Sequence, residues 1–196
     1  HTLENMSDKQ LYAIIGYPIG HTLSPVMYNA AFKALRMNAE YTPFEVKLDD
    51  LENTIKNLAA NGFSGFNVTI PHKTACIKFL DRIDDNAISI GAVNTVKVEI
   101  TKEGGPHPTP ILLGYNTDGP GFLRSLKEGL KVDPKGKDVF VIGAGGAGKA
   151  VVAILAASGV HSITIVDKII EKAIDLTDRY SANCRVRFLE YEKPWA

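Results

Sequence analysis

Hydroxyls, amides, one lysine and one aspartate recur in this chain at spacings that could do chemistry. His21-Thr22-Leu23-Ser24 sets two hydroxyls at i and i+2, just ahead of Pro25. Asn67-Val68-Thr69 places an amide and a hydroxyl on one face of an extended run, because side chains alternate along a strand. Pro71-His72-Lys73 follows at once, and a third cluster gathers Asn94, Asn116, Thr117 and Asp118. Together these groups suit a small polyhydroxylated, carboxylated ligand. Each has a plainer role taken singly: Ser24 can cap a helix, Asn94 can make a turn, and Lys73 can be solvated. The collective pattern favours a ligand site.

A second chemical feature is the run Gly143-Ala144-Gly145-Gly146-Ala147-Gly148, which follows the apolar stretch 139–142 and precedes the apolar stretch 149–157. Strand, glycine turn and helix in that order form a dinucleotide-binding fingerprint. Gly143 would let the chain turn off the strand. Gly145 would let the backbone approach a pyrophosphate, and Gly148 would let the helix pack closely. The helix start adds unpaired N–H groups and a positive dipole end. Asp167 follows Gly143 by 24 residues (167 − 143), at the end of a second β-prone run. Two roles fit it. It can grip the adenosine ribose, which is the role expected here and favours NAD over NADP, or it can cap the next helix. Gly143 to Ala150 also spells a phosphate-loop pattern that lacks its final Ser/Thr, so nucleoside-triphosphate hydrolysis is not expected.

These groups need a scaffold. The chain has 196 residues and is 45% hydrophobic, ordinary for one or two globular domains. Its 22 basic and 22 acidic residues balance, and no basic stripe points to nucleic acid. No apolar run reaches the roughly 20 residues a membrane span needs. The polar N-terminus has no signal-peptide pattern, and His1–Asn5 reads as an appended leader ahead of a start at Met6. Cys76 and Cys184 fit no metal or redox spacing and read as reduced thiols of a cytoplasmic protein. No metal site is expected.

Periodicity and turn signals predict strands at 11–16, 39–46, 65–70, 92–100 and 110–115, with a surface turn over 101–109. Helices are expected from about 26 to 35, with Ser24 as N-cap and Pro25 at N1, then to Ala60, from 73 or 74 to 80, and over 84–90 and 122–130. Asp49 or Asp50 would cap the second of these helices. A loop is expected over 116–121. The fingerprint unit then reads strand 139–142, helix 149–157, strand 163–166, helix 169–180 and strand 184–189. The fold class is α/β: an N-terminal substrate domain with a mixed sheet (6–113), a junction (114–135) and the first half of a Rossmann dinucleotide-binding domain (136–196).

The stretches Gly16–Pro25, Asn67–Lys73, Gly91-Ala-Val-Asn-Thr95 and Gly114-Tyr-Asn-Thr-Asp-Gly119 resemble, in order, the signature motifs of the shikimate/quinate dehydrogenases. Gly143–Gly148 is similar to that family's cofactor loop. The resemblance implies reversible reduction of 3-dehydroshikimate with a nicotinamide cofactor, NAD or NADP. It implies Lys73 and Asp118 as the catalytic pair. It implies Thr22, Ser24, Asn67, Thr69 and Asn94 as binders of the substrate carboxylate and hydroxyls. Three departures stand out. Thr22 replaces a serine common at that position, which against the family pattern implies a shift towards quinate. Val166-Asp167-Lys168 replaces the Asn-Arg-Thr-like segment of NADP-selective members. The second half of the nucleotide domain and the C-terminal helix with its substrate-binding glutamine are missing from the sequence. At this length an open sheet edge and uncovered helix faces are expected. That expectation leaves open a homodimer and an inactive form. A ligand-binding fragment without turnover is a second reading. A one-carbon folate dehydrogenase is a third, weakened by the Thr22/Ser24 loop.

Overall fold

The computed structural model describes residues 9–101 and 109–191. The start at Met6 and most of the turn expected over 101–109 lie outside them. The chain divides into two compact units: residues up to Asp84 with Val93–Tyr115, and Asp85–Ala92 with the chain from Asn116 onward.

The first unit is built on a six-stranded mixed sheet ordered β2-β1-β3-β5-β6-β4. Its strands are β1 (Gln10–Gly16), β2 (Ala39–Glu45), β3 (Phe63–Val68), β4 (Arg82–Ile83), β5 (Thr95–Thr101) and β6 (Thr109–Tyr115). β1 runs parallel to β2 and β3, β5 runs antiparallel to β3 and β6, and β4 runs parallel to β6. Helix α1 (Ser24–Ala34) packs against β2. Its Tyr28 and Phe32, one turn apart, join Tyr12, Ile14, Ile19 and Tyr41 in an apolar cluster. Helix α2 (Leu51–Ala60) packs against β3 and buries Leu51, Ile55, Leu58 and Ala59, the spacing of a single helix face. Alternation puts Ala13 and Ile15, both fully buried, on the opposite face of β1 from Ile14. The helix expected from 73 or 74 is a shorter 3-10 segment, Ala75–Phe79.

The second unit carries the parallel sheet β7-β8-β9, formed by β7 (Asp138–Ile142), β8 (Ser162–Val166) and β9 (Arg185–Leu189). Helices α5 (Gly146–Ala157) and α6 (Ile170–Tyr180) make the two crossovers. Ala150, Val152 and Leu155 of α5 join Ile163, Ile165, Leu176 and Tyr180 in its core. Such burial contributes roughly 1.5–3 kcal/mol for each large aliphatic side chain.

Helix α3 (Asp85–Ile90) belongs to this second unit, so the first unit is not the continuous segment 6–113. The cause is local. Ile90 and Ala92 are part of the core around α5 and α6, and the Ser89 carbonyl accepts the Tyr180 hydroxyl at 2.7 Å. The residues after 114 also form no separate junction. Helix α4 (Asp118–Arg124) begins four residues before the expected 122, packs on α5, and runs into a π-helical turn at Ser125–Gly129.

Candidate functional site

Adjacent parallel strands deliver their C-terminal ends side by side, where ligands of open α/β sheets bind. The Thr69 N–H donates to the Ile15 carbonyl at 2.9 Å, and the Tyr17 N–H donates to the Ile70 carbonyl at 2.9 Å. These bonds lay the loop after β1 against the loop after β3. A cavity of about 350 Å³ opens there, lined by Ile14, Tyr17, Pro18, Ile19, His21, Thr22, Ser24, Thr69 and Ile70. Three of the expected substrate residues, Thr22, Ser24 and Thr69, therefore share one pocket of hydroxyls on an apolar floor.

Ser24 is not the N-cap of α1, as the sequence suggests. Leu23 occupies that position, and its carbonyl accepts the Met27 N–H at 3.1 Å. Thr22 Oγ1 accepts the Ser24 N–H at 3.3 Å, so the hydroxyl of Thr22 does the work at this turn. Pro25 follows in the first turn and brings no N–H that needs a partner. Asn67 and Asn94 lie outside the cavity lining and are linked through Thr95.

Lys73 sits on a tightly held loop. Its carbonyl accepts the Val93 N–H at 2.7 Å and the Cys76 thiol at 3.6 Å. His72, fully buried, places Nε2 2.6 Å from the Val46 carbonyl, while Val46 donates its own N–H to the Gly16 carbonyl at 2.9 Å. The loop bearing Lys73 is thus fastened to the ends of both β1 and β2. Burial pushes the Cys76 thiol up to about 12, so it stays protonated and unreactive. Nothing in the sequence alone marks His72 or Cys76 as anchors of this loop.

In the second unit, Asp118 opens α4, where the helix dipole favours negative charge. Asn116 prepares that start. It is buried, its Oδ1 accepts the N–H groups of Asp118 at 3.0 Å and Gly119 at 3.4 Å, and its Nδ2 donates to the Ala92 carbonyl at 2.9 Å. Asn116 therefore belongs to the scaffold that presents Asp118.

The glycine run has the geometry its spacing suggests. Gly143 has φ +101°, a conformation that side chains rarely tolerate. A Cβ on Gly148 would lie 2.0 Å from the Gly143 carbonyl oxygen, so the helix can approach the turn only with glycine there. A Cβ on Gly145, the N-cap of α5, would meet nothing within 4 Å. Space above that backbone is what a pyrophosphate needs, and Gly146 and Ala147 continue it into the first turn of α5. Ala144 donates its N–H to Asp167 Oδ2 at 2.6 Å, and Ile169 donates its N–H to Oδ1 at 2.8 Å. Asp167 thus does make the turn into α6, and it also ties that turn to the glycine loop. Burial raises its carboxyl, but the two N–H donors and nearby Lys172 outweigh this and hold it below the ordinary value.

The family profile described as "Shikimate dehydrogenase substrate binding domain" matches residues 14–96, and that of "Shikimate / quinate 5-dehydrogenase" matches residues 126–193. The crystal structure of shikimate dehydrogenase from Aquifex aeolicus is 36% identical, covers 94% of this chain and 69% of its own, and superposes with a TM-score of 0.79. This chain belongs to the shikimate/quinate dehydrogenase family. Shikimate dehydrogenase (NADP(+)) of Bacillus licheniformis is 43% identical over 182 residues, which are 93% of this chain and 62% of that protein. The shikimate 5-dehydrogenase of Listeria monocytogenes, solved with shikimate and NAD, is 32% identical, covers 96% of this chain and 64% of its own, and has a TM-score of 0.81. The chain thus spans somewhat under two thirds of the curated dehydrogenases it matches. The hydroxyl-lined cavity lies within the stretch matched by the first profile, and the glycine loop within the stretch matched by the second.

Proposed function

We propose that the protein interconverts shikimate and 3-dehydroshikimate with a nicotinamide cofactor, quinate being the alternative substrate. The observation that supports this most is the cavity at the ends of β1 and β3, where Thr22, Ser24 and Thr69 from two family motifs converge. Those hydroxyls, with Asn67 and Asn94, would hold the ring's carboxylate and hydroxyls. The glycine loop and the N-terminus of α5 would hold the pyrophosphate, and the space above Gly145 fits that role.

When bound, the nicotinamide accepts or supplies the hydride. The chain's own part is proton management. As shikimate is oxidised, the reacting hydroxyl gives up its proton, and a positioned lysine takes it. In reduction the Lys73 ammonium stabilises the charge growing on the ketone oxygen and returns the proton. Asp118, paired with Lys73 by a charge-assisted hydrogen bond, would hold that ammonium in line. This pairing and the residue roles rest on the family motifs. A cytoplasmic setting suits the two free cysteines, Cys76 and Cys184.

We also propose NAD over NADP. The Bacillus licheniformis relative is named as shikimate dehydrogenase (NADP(+)), and the Listeria monocytogenes neighbour was solved with NAD. Asp167 supports the NAD reading here. Its carboxylate stays ionised and accepts two backbone N–H groups, and a carboxylate keeps further lone pairs for ribose hydroxyls. A 2′-phosphate beside it would be repelled. Shikimate-dependent reduction of each cofactor, followed by near-ultraviolet absorbance, is expected to give a lower KM for NAD. Asp167→Ser is expected to narrow the gap. A lower KM for NADP in the unaltered protein contradicts the preference, and absence of turnover with either cofactor contradicts the activity.

A further inference from the structure

The structure assigns Tyr41 and Thr95 as positioning residues that fix the orientation of the two amides, Asn67 and Asn94, expected to face the substrate. This deepens the proposed function and rests on it for the ligand. Neither residue contributes to the cavity lining, and Tyr41 lies outside all of the family motifs.

Tyr41 Oη lies 2.7 Å from Asn67 Oδ1. Asn67 Nδ2 lies 3.2 Å from the Asn94 backbone carbonyl and 3.2 Å from Thr95 Oγ1. Thr95 Oγ1 lies 2.9 Å from Asn94 Oδ1. One group in this set has no choice of role: the Asn94 backbone carbonyl can only accept. The end of the Asn67 amide that faces it must therefore be the amino group, since a flipped amide would set two acceptors against each other. With Nδ2 fixed there, Oδ1 faces Tyr41, and the Tyr41 hydroxyl must donate. Thr95 Oγ1 accepts from Asn67 Nδ2 and donates its proton to Asn94 Oδ1. The relay runs from Tyr41 to Asn67, from Asn67 to Thr95 and from Thr95 to Asn94. It turns the amino end of Asn94 away from Thr95 and holds both amides in one presentation.

The first donor is itself held firmly. Tyr41 is only 4% exposed, and its ring stacks on Tyr28 with centroids 4.4 Å apart. Asn29 of α1 grips the Tyr41 backbone at both ends. Its Nδ2 donates to the carbonyl at 2.9 Å, and its Oδ1 accepts the N–H at 2.9 Å. Burial, helped by Tyr28, also raises the Tyr41 hydroxyl well above its ordinary range, so it remains a donor throughout the physiological range. An amide held by such a chain meets a ligand already oriented, which lowers the ordering cost of binding.

The test uses the full chain, with shikimate affinity measured by calorimetry. Tyr41→Phe keeps the stacked ring and removes only the donor. Thr95→Val keeps the shape and removes the hydroxyl, and Thr95→Ser restores it. Tyr41→Phe and Thr95→Val are each expected to weaken shikimate binding by about tenfold, the scale of one displaced hydrogen bond. Thr95→Ser is expected to stay within about twofold of the parent, and NAD affinity to stay unchanged in all three. A purely structural role would instead lower the melting temperature and leave shikimate affinity alone, and that result overturns the assignment. The relay is also read without ligand. Side-chain amide resonances of Asn67 and Asn94 are expected to shift in Tyr41→Phe and Thr95→Val and to return in Thr95→Ser. If they do not move, the relay is refuted even where the parent binds shikimate. If the parent binds neither shikimate nor quinate while the resonances shift as expected, the relay stands and the proposed substrate falls.

Discussion

Lys73→Met is expected to lower the rate constant for shikimate oxidation by about 10²–10⁴-fold, the usual contribution of a positioned acid–base group. Shikimate affinity should change far less. Methionine matches the length of the lysine stem and removes the ammonium, so binding through Thr22, Ser24, Asn67, Thr69 and Asn94 survives while the proton loses its acceptor. The loop should survive as well. It is fixed by backbone and neighbouring groups, namely Val93 N–H on the Lys73 carbonyl and His72 on Val46, and none of these bonds uses the Lys73 side chain. Steady-state kinetics with a separate binding titration checks this. A fall in kcat with near-constant Kd is the signature of an interaction made in the transition state. An intact kcat removes Lys73 from the chemistry.

The second large effect separates two glycines of one loop. Gly148→Ala forces a methyl to within 2.0 Å of the Gly143 carbonyl oxygen. Both partners are near backbone, so no rotamer change relieves the clash. A loss of about 3 kcal/mol or more is expected, at the upper end of overpacking costs. In a chain of this size that is a fall of about 6–12 °C in melting temperature. Gly145→Ala meets nothing within 4 Å and adopts an extended conformation any residue accepts, so only a modest capping loss of under about 1 kcal/mol is expected. Its methyl points into the space a pyrophosphate would take, and NAD affinity should drop by at least about tenfold. Thermal melts and NAD titrations of the two variants should therefore give opposite patterns. Equal stability losses would mean that the loop packs in another way.

Much of this architecture is legible in the sequence because local signals and packing agree. Leu51, Ile55, Leu58 and Ala59 repeat with the helical period and do bury one face of α2. The glycine run follows an apolar strand and opens a helix, as its spacing requires. The misses occur where a particular hydrogen-bond partner or a neighbouring element overrides the residue's own preference. Ser24 carries a capping side chain, yet Leu23 caps α1 because Thr22 holds the Ser24 N–H. Asp118 lies in what reads as a loop, yet Asn116 Oδ1 accepts the two N–H groups that start α4 there. The two residues of β4 carry no strand pattern and pair only because β6 lies beside them. Residues 85–92 read as continuous with the first unit, but Ser89 and Ile90 find their partners near Tyr180 and α5.

The site divides in the same way. The hydroxyls of Thr22, Ser24 and Thr69 stand out by type and spacing. Asp167 shows its acidic position and its turn into α6, but not its bond from the Ala144 N–H, which depends on how β8 lies beside the glycine turn. Tyr41 is invisible as a functional residue. It lies two strands from Asn67, and only the order β2-β1-β3 brings its hydroxyl to that amide.

The most direct measurement is a shikimate titration of this protein followed by backbone amide NMR. Saturable shifts are expected, largest around Thr22, Ser24, Asn67, Thr69, Lys73 and Asn94, with quinate producing the same map at a different affinity. No saturable response to either acid, or shifts centred on residues away from the ends of β1 and β3, would contradict the account.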